Sequence, residues 1–369
     1  MVLPLSGLKV VAIEQAVAAP FATSRLADAG ADVIKIERPE GDFARGYDDA
    51  AAGQSSYFVW LNRGKTSVVL DLRAEAGKAE LERLLADADV LVQNLKRGAL
   101  DRLGVTQERL TRQYPRLITC AITGYGEGGP MADRKAYDLL IQAESGLCSI
   151  TGGPSEPARV GMSIVDVATG ATAHAAILEA LIARGITGRG AAISISMFDV
   201  MAEWMTVPLL NHESGNSPRR VGMAHPSISP YSAFATKDGQ LILISIQSDR
   251  EWRMLCTHFL QRPELGHDPR FATNVARVAN RPDTDGIVAE AFAAMAHSDA
   301  IAGLDKADIA MASVNDMAGL SGHPHLRRIT VNTPNGPVAY PAPAPRVAGE
   351  TRSYGAVPAL PVAPLKAEA

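Results

Sequence analysis

Three carboxylates in the middle of the chain, Asp138, Glu156 and Asp166, have the residue type and setting to do chemistry. A carboxylate can attack a carbonyl as a nucleophile or serve as a general acid–base, and both roles need it positioned and partly desolvated. Glu156 lies beside Ser155 in a Gly/Pro-rich loop, "TGGPSEPARVG" at 151–161, where neither packing nor capping accounts for it. Asp138 begins a helix-like run in "KAYDLLIQAESG", and Asp166 stands near the start of a long Ala-rich run at 163–182. For those two the competing explanation is a favourable negative charge at a helix N-terminus. For Glu156 it is a solvated loop carboxylate.

Other familiar patterns fail on context. "GYGEGG" at 124–129 has the spacing of a dinucleotide fingerprint and follows a strand-like run. The residues after it, "PMADRK", do not open a helix, so a ligand-lining loop is expected instead of a pyrophosphate cradle. His225, His323 and His325 sit near prolines without metal-ligand spacing, and no metal site is expected. No GxSxG sequence anchors a serine hydrolase triad.

The elements that must position these residues follow a regular pattern. Short apolar runs at 8–14, 31–38, 67–72, 89–94 and 116–123 alternate with helical stretches at 20–30 and 75–88. Strands alternating with helices predict an α/β fold with a parallel sheet covered on both faces. Such sheets bind ligands at the carboxyl ends of their strands, which nominates Val17, Arg38, Arg73, Asn94 and Tyr125. A further strand runs into a helix at 190–205, and a Gly/Pro/Ser-rich linker occupies 211–230. Beyond it, a hairpin is expected around Asp238-Gly239, then helices to about residue 308. The Pro/Ala-rich tail from 334 reads as an extended segment laid over the surface of another element.

The composition bounds the partners. The 369 residues are 47% hydrophobic and 21% charged, with a net charge of −4, so no global field favours nucleic acid or an anionic membrane. Cys120, Cys148 and Cys256 are widely spaced, which fits a reducing compartment better than a disulfide framework. The N-terminus lacks the pattern of a signal peptide, and no uninterrupted apolar run of membrane-spanning length is apparent. A cytoplasmic protein is expected.

The block "LSGLKVVAIEQAVAAPFATSRLADAGADVIKIERPEGD" resembles the family III CoA-transferases, the carnitine-dehydratase/bile-acid-inducible protein family. "NRGKTSVVLDLRAEAGK", "ADVLVQNLKRGALDRLG", "ITGYGEGGP", "YDLLIQAESGL", "SIVDVATG" and "ISISMFDVMAEWM" continue the resemblance in order, from Leu5 to about Gly336. It implies a Rossmann-like large domain at 1–210, a linker at 211–228, a small domain at 229–325, and a segment at 326–369 that returns to the large domain. It also implies an interlocked homodimer, with no permanently bound cofactor and a coenzyme A thioester as substrate. By position, Arg38 would approach the 3′-phosphate or adenine, with Arg73 and Arg102 adding positive charge. Leu70, Asn94, Leu95 and Ala99 would line the adenosine and pantetheine path, and Tyr125 the thioester end.

The implied activity is transfer of CoA from an acyl-CoA to a carboxylic acid through an enzyme carboxylate. The family pattern TGxPDxP places that carboxylate in the loop at 151–161. Here Ser155 stands where the aspartate is expected, Glu156 is next to it, and the loop is one residue shorter. Glu156 is the leading candidate, with Asp138 or Asp166 as alternatives, and a CoA-ester-binding protein without transfer is a third reading. An α-methylacyl-CoA racemase is the competing enzyme class, but Tyr137 stands where that class has a histidine. Tyrosine, with its pKa near 10, shuttles protons poorly at neutral pH. The blocks around 151–170 and 230–252 most resemble the branch acting on short dicarboxylyl-CoA esters such as mesaconyl-, itaconyl- or succinyl-CoA. Arg159, Arg219 and Arg220 are the candidate partners for a distal carboxylate.

Overall fold

Six short strands rich in Val and Ile lie side by side in a parallel sheet of order β3-β2-β1-β4-β5-β6. They are β1 (Lys9–Ile13), β2 (Asp32–Glu37), β3 (Lys65–Val69), β4 (Val90–Gln93), β5 (Ile118–Thr123) and β6 (Ala192–Ser196). This is a computed structural model, and it describes residues 2–361. Val10, Val11, Ala12 and Ile13 are all buried, as a central strand covered on both faces requires. The helices are α1 (Ala18–Asp28), α2 (Ser56–Asn62), α3 (Glu75–Ala86), α4 (Gln107–Gln113), α5 (Asp138–Glu144), α6 (Leu147–Ile150), α7 (Ile164–Thr187) and α8 (Met197–Trp204). The expected strands and the helices at 20–30 and 75–88 are observed, and α2 and α4 fill two further connections that the sequence had left without an assigned helix.

The 24-residue α7 packs along α1 and the sheet. Among the described residues it is the one single helix apolar and long enough to cross a membrane by length and composition. It is not an uninterrupted apolar run, because Asp166, His174, Glu179 and Arg184 break the pattern in the sequence. Its contact with α1 depends on Gly170: a Cβ there would fall 2.4 Å from the Ala18 carbonyl oxygen and 2.9 Å from the Phe21 side chain. The close approach fixes the two helix N-termini relative to each other, and both N-termini face the site described below.

The chain divides into two compact units. The first comprises Met1–Cys148, Arg159–Leu210 and Arg327–Ala369, and the second Ser149–Ala158 and Asn211–Leu326. In the second, β7 (Tyr231–Ala235), β8 (Leu241–Ser245) and β9 (Ala310–Ser313) form an antiparallel sheet. The expected hairpin joins β7 to β8, with Gly239 at φ 79°. Its core gathers Phe234, Trp252, Phe259, Phe271 and Phe292, all buried. The short β9, "AMAS", carried too little pattern to be read from the sequence.

The tail differs from its sequence reading. Instead of a simple extended segment, β10 (Arg328–Thr333) and β11 (Gly336–Pro341) pair as an antiparallel hairpin. The chain then runs extended, with Val357 N–H donating to Asn332 O at 2.9 Å and Gly64 N–H to Ala356 O at 2.9 Å. Val331 and Val357 close over Phe58 and Val59 within the first unit. Residues 362–369, the end of the expected returning segment, lie outside the described residues.

Candidate active site

The strand order reverses between β1 and β4, and their carboxyl ends open into a cavity of about 620 Å³. That is where an open parallel sheet leaves room for a ligand. β1 delivers Gln15, Ala16 and Val17 to the wall, β4 delivers Asn94 and Leu95, and the start of α7 delivers Ser163 and Asp166. Asn94 braces the β1 turn from both sides. Its Oδ1 accepts from Gln15 N–H at 3.0 Å, and its Nδ2 donates to Gln15 O at 2.8 Å.

Ser163, at the N-cap of α7, makes no capping bond with its own side chain. Asp138 does the capping from another helix: its Oδ1 accepts from Val165 N–H at 2.7 Å and Asp166 N–H at 3.2 Å. Its Oδ2 accepts from Gln142 Nε2 at 2.7 Å, and Gln142, fully buried, accepts Val160 N–H at 2.9 Å. The segment leading into α7 is therefore stapled at three backbone groups.

Asp166 sits in the first turn of α7 and on the cavity wall. Among the described residues, no protein group hydrogen-bonds its carboxylate. Burial, reinforced by the nearby Asp138 charge, pushes its carboxyl up to about 7. A helix N-terminus favours the anion by roughly 0.3–1 kcal/mol, less than the desolvation it opposes. Burial wins, and the group is poised to be neutral or ionised near neutral pH.

The rest of the cavity is aromatic and cationic. Phe43, Tyr47 and Tyr57 form a run of ring contacts at 5.7 and 5.5 Å, and Tyr57 Oη lies 3.3 Å from Ser163 Oγ. Although Tyr47 as a whole is exposed, desolvation of its hydroxyl, with Asp42 and Asp166 nearby, pushes it up to about 12. Lys96, Arg97, Arg134, Lys135 and Arg159 bring positive charge to the rim. A second cavity of about 360 Å³ opens at the ends of β1, β2 and β3 and shares Gln15 and Leu95 with the first. Arg38, Leu70 and Arg73 line it. Arg38 donates to Gly41 O at 3.0 Å, and Arg73 pairs with Asp71 at 3.0 Å.

Of the residues nominated from the sequence, Val17, Asn94, Leu95, Asp138 and Asp166 line the larger cavity, and Arg38, Leu70, Leu95 and Arg73 the smaller. Ala99, Arg102, Tyr125, Ser155 and Glu156 line neither. Tyr125 packs on Phe198 at 5.9 Å between ring centres. Ser155 and Glu156 are exposed. Their loop is held by Arg220, which donates to Ser149 O at 2.9 Å and Gly153 O at 3.1 Å. Arg220 is thus committed to backbone carbonyls, Arg219 is exposed, and Arg159 alone of the three arginines reaches a cavity wall. Among the described residues no cluster of His, Cys, Asp and Glu could hold a metal ion.

Sequence reasoning passed over Gln15, Ala16, Tyr47, Tyr57, Arg134, Lys135 and Ser163. Gln15 was within reach of the strand-end rule, since it lies closer to the end of β1 than Val17. The "DRK" at 133–135 was the overlooked sign of a basic rim.

A family model described as CoA-transferase family III matches residues 5–361. The chain belongs to CoA-transferase family III. A succinate–glutarate CoA-transferase of Agrobacterium fabrum is 40% identical over 295 residues, covering 77% of this chain and 73% of its own. A succinyl-CoA:mesaconate CoA-transferase of Haloarcula hispanica is 32% identical over 338 residues, covering 87% and 83%. Among solved structures, a CaiB/BaiF family protein from Brucella suis superposes with a TM-score of 0.83 at 37% identity, covering 96% and 95% of the two chains. The protein is a CoA-transferase that uses a CoA thioester as substrate.

Proposed function

We propose that this CoA-transferase moves CoA between short dicarboxylates, with Asp166 as the enzyme carboxylate that carries the group. One observation carries the reading: Asp166 is a half-buried, desolvated carboxylate that no group among the described residues hydrogen-bonds, on the wall of a cavity at the carboxyl ends of β1 and β4. A desolvated, basic carboxylate attacks a thioester better than a solvated one. The exposed Glu156, favoured by the loop pattern, lacks that desolvation.

The chemistry then needs only Asp166 and the substrates. A carboxylate oxygen of Asp166 attacks the acyl-CoA carbonyl, the C–S bond breaks, and CoA leaves as thiolate from an acyl–aspartyl anhydride. The thiolate attacks the aspartyl carbonyl, releasing the donor acid and leaving an aspartyl–CoA thioester. The acceptor carboxylate attacks that thioester and expels the thiolate again, which takes the new acyl group from the second anhydride. Asp166 is restored, with no net proton or redox change.

Charge and shape support the substrate placement. Arg38 and Arg73 suit the phosphates at the nucleotide end of CoA, because a guanidinium bonds phosphate oxygens bidentately. The pantetheine arm would pass Gln15 and Leu95, which both cavities share. The basic rim suits a second carboxylate on the acyl group, in keeping with the dicarboxylates in the names of the relatives. Exposed Ile182, Ile186, Trp204, Val207 and Leu210 support a homodimer contact, and we assign the enzyme to the cytoplasm.

Hydroxylamine trapping during turnover tests the reading directly. Trypsin separates residues 136–159, which hold Asp138 and Glu156, from residues 160–184, which hold Asp166. Incubation with succinyl-CoA and hydroxylamine is expected to place a hydroxamate on the second peptide. A hydroxamate on the first peptide would return the role to Glu156 or Asp138. Exchange of the substrate α-proton without an acceptor acid would point to the racemase.

A further inference from the structure

We propose that Asp42 is a positioning residue for the reaction cavity, fixing two of its walls through one buried carboxylate. The inference rests on the larger cavity being the site of transfer. Ala16, on that wall, has φ 63°, a left-handed backbone that a non-glycine residue keeps only when its surroundings hold it there. Asp42 Oδ1 supplies the hold, accepting from Ala16 N–H at 3.1 Å. The same oxygen accepts from Ala44 N–H at 2.9 Å and so caps the short helical turn Phe43–Gly46. That turn carries Phe43 and leads to Tyr47, both of which line the same cavity.

Beneath Asp42 lies a buried set of charges that the transfer chemistry does not use. Lys35 Nζ, fully buried, donates to Asp42 Oδ2 at 2.8 Å and to Glu14 O at 3.3 Å. Glu14 accepts from Lys65 Nζ at 2.6 Å and from Thr23 Oγ1 at 2.6 Å. The Asp42 backbone N–H donates to Glu37 Oε2 at 2.8 Å. Lys35 and Lys65 balance Asp42 and Glu14, Glu37 pairs with Arg45, and neither lysine lines either cavity. Burying ion pairs is a poor route to stability, because desolvation offsets the attraction. A fully satisfied network does fix one geometry, and here that geometry is a strained turn on the wall of the cavity that Asp166 also lines.

Charge-balanced variants separate this role from simple folding. In a Lys35→Met background, Asp42→Asn keeps an acceptor for Ala16 N–H, whereas Asp42→Leu removes it; Glu14 stays paired with Lys65 in both. The leucine variant is expected to lose kcat by roughly ten- to a hundredfold, more than any change in the KM for acyl-CoA, as misplaced reacting groups do. The asparagine variant should keep kcat within about threefold, the size of an ordinary contextual effect. Adding Ala16→Gly to the leucine variant should recover most of the loss, since glycine adopts the turn without a brace. Asp42→Glu, which keeps the charge and shifts the acceptor, should also lower kcat and covers the case in which the leucine variant fails to fold. Equal losses in the asparagine and leucine variants, no rescue by Ala16→Gly, or full kcat in Asp42→Glu would each overturn the proposal. Full transfer by Asp166→Asn would instead remove the reading of the cavity on which it rests.

Discussion

Asp138 holds the backbone that carries Asp166, and at the same time its charge makes Asp166 harder to ionise. The cap comes through Val165 and Asp166 N–H, at 2.7 and 3.2 Å, and the charge effect adds to burial in raising the Asp166 carboxyl to about 7. The two effects can be pulled apart. Asp138→Asn keeps an acceptor and removes the charge, so the acid limb of the pH–rate profile should move to lower pH. Asp138→Ala should also cost about 1–2 kcal/mol of stability, the usual effect of losing a helix cap. Urea melts and pH–rate profiles of the two variants check this. An unmoved acid limb in Asp138→Asn would refute the charge coupling.

Asp166 should show opposite signs in activity and stability. Its folded carboxyl titrates near 7, against about 3.9 when unfolded. The stability associated with the protonated form is complete below the unfolded value and is lost as pH rises through about 7. At about pH 8 the ionised carboxylate is therefore a liability, and Asp166→Asn should be more stable than the parent by up to about 4 kcal/mol. Near pH 4 the two should converge. Transfer should rise with pH through about 7 in the parent and fall by at least about a thousandfold in the variant. A variant no more stable than its parent at about pH 8 would show that Asp166 is solvated in the folded protein.

The smaller cavity makes a separable prediction about the nucleotide end of the substrate. Arg38→Ala should raise the KM for acyl-CoA by roughly tenfold, about the worth of one charge-assisted hydrogen bond, and leave kcat nearly unchanged. With a dephospho-CoA thioester the parent and the variant should approach each other. Steady-state kinetics with both thioesters measure this. A kcat effect equal to the KM effect would place Arg38 in the chemistry instead.

The fold was legible because the strands of the large sheet are short runs rich in β-branched residues and two of the connections, those forming α1 and α3, read clearly as helices. β1 and β2 are bounded by loops and by Gly30, whose φ of 99° ends the α1 segment. The β10–β11 hairpin was not legible, since the β11 segment "GPVAYP" signals only local extension and its partner "RITVNT" is recognised only by cross-strand pairing. The site was legible in its parts but not in its arrangement. Asp138 was read as a helix-start charge, and it is one, but it caps α7 instead of the helix it begins. What distinguishes Asp166 from Glu156 is burial, a tertiary property that a loop motif of seven residues does not encode. The buried Glu14, Lys35, Asp42 and Lys65 set was invisible for the same reason: each partner comes from a different element.

Arg159 carries the prediction about acyl-group choice. It lines the cavity, and among the described residues its one hydrogen bond is a long contact of 3.5 Å to Gly161 O, so little holds it away from a substrate. A distal carboxylate paired with it would gain about 1.5–3 kcal/mol, the range for hydrogen bonds to charged groups. Arg159→Gln should therefore lower kcat/KM for succinate or glutarate as acceptor by roughly ten- to a hundredfold, while a monocarboxylate of similar length is affected by less than about threefold. Competition between the two acceptors in one reaction gives the ratio directly, without assuming equal amounts of active enzyme. An unchanged ratio would assign the discrimination to Arg134 or Lys135 on the same rim, and the same assay on Arg134→Gln and Lys135→Gln would then decide between them.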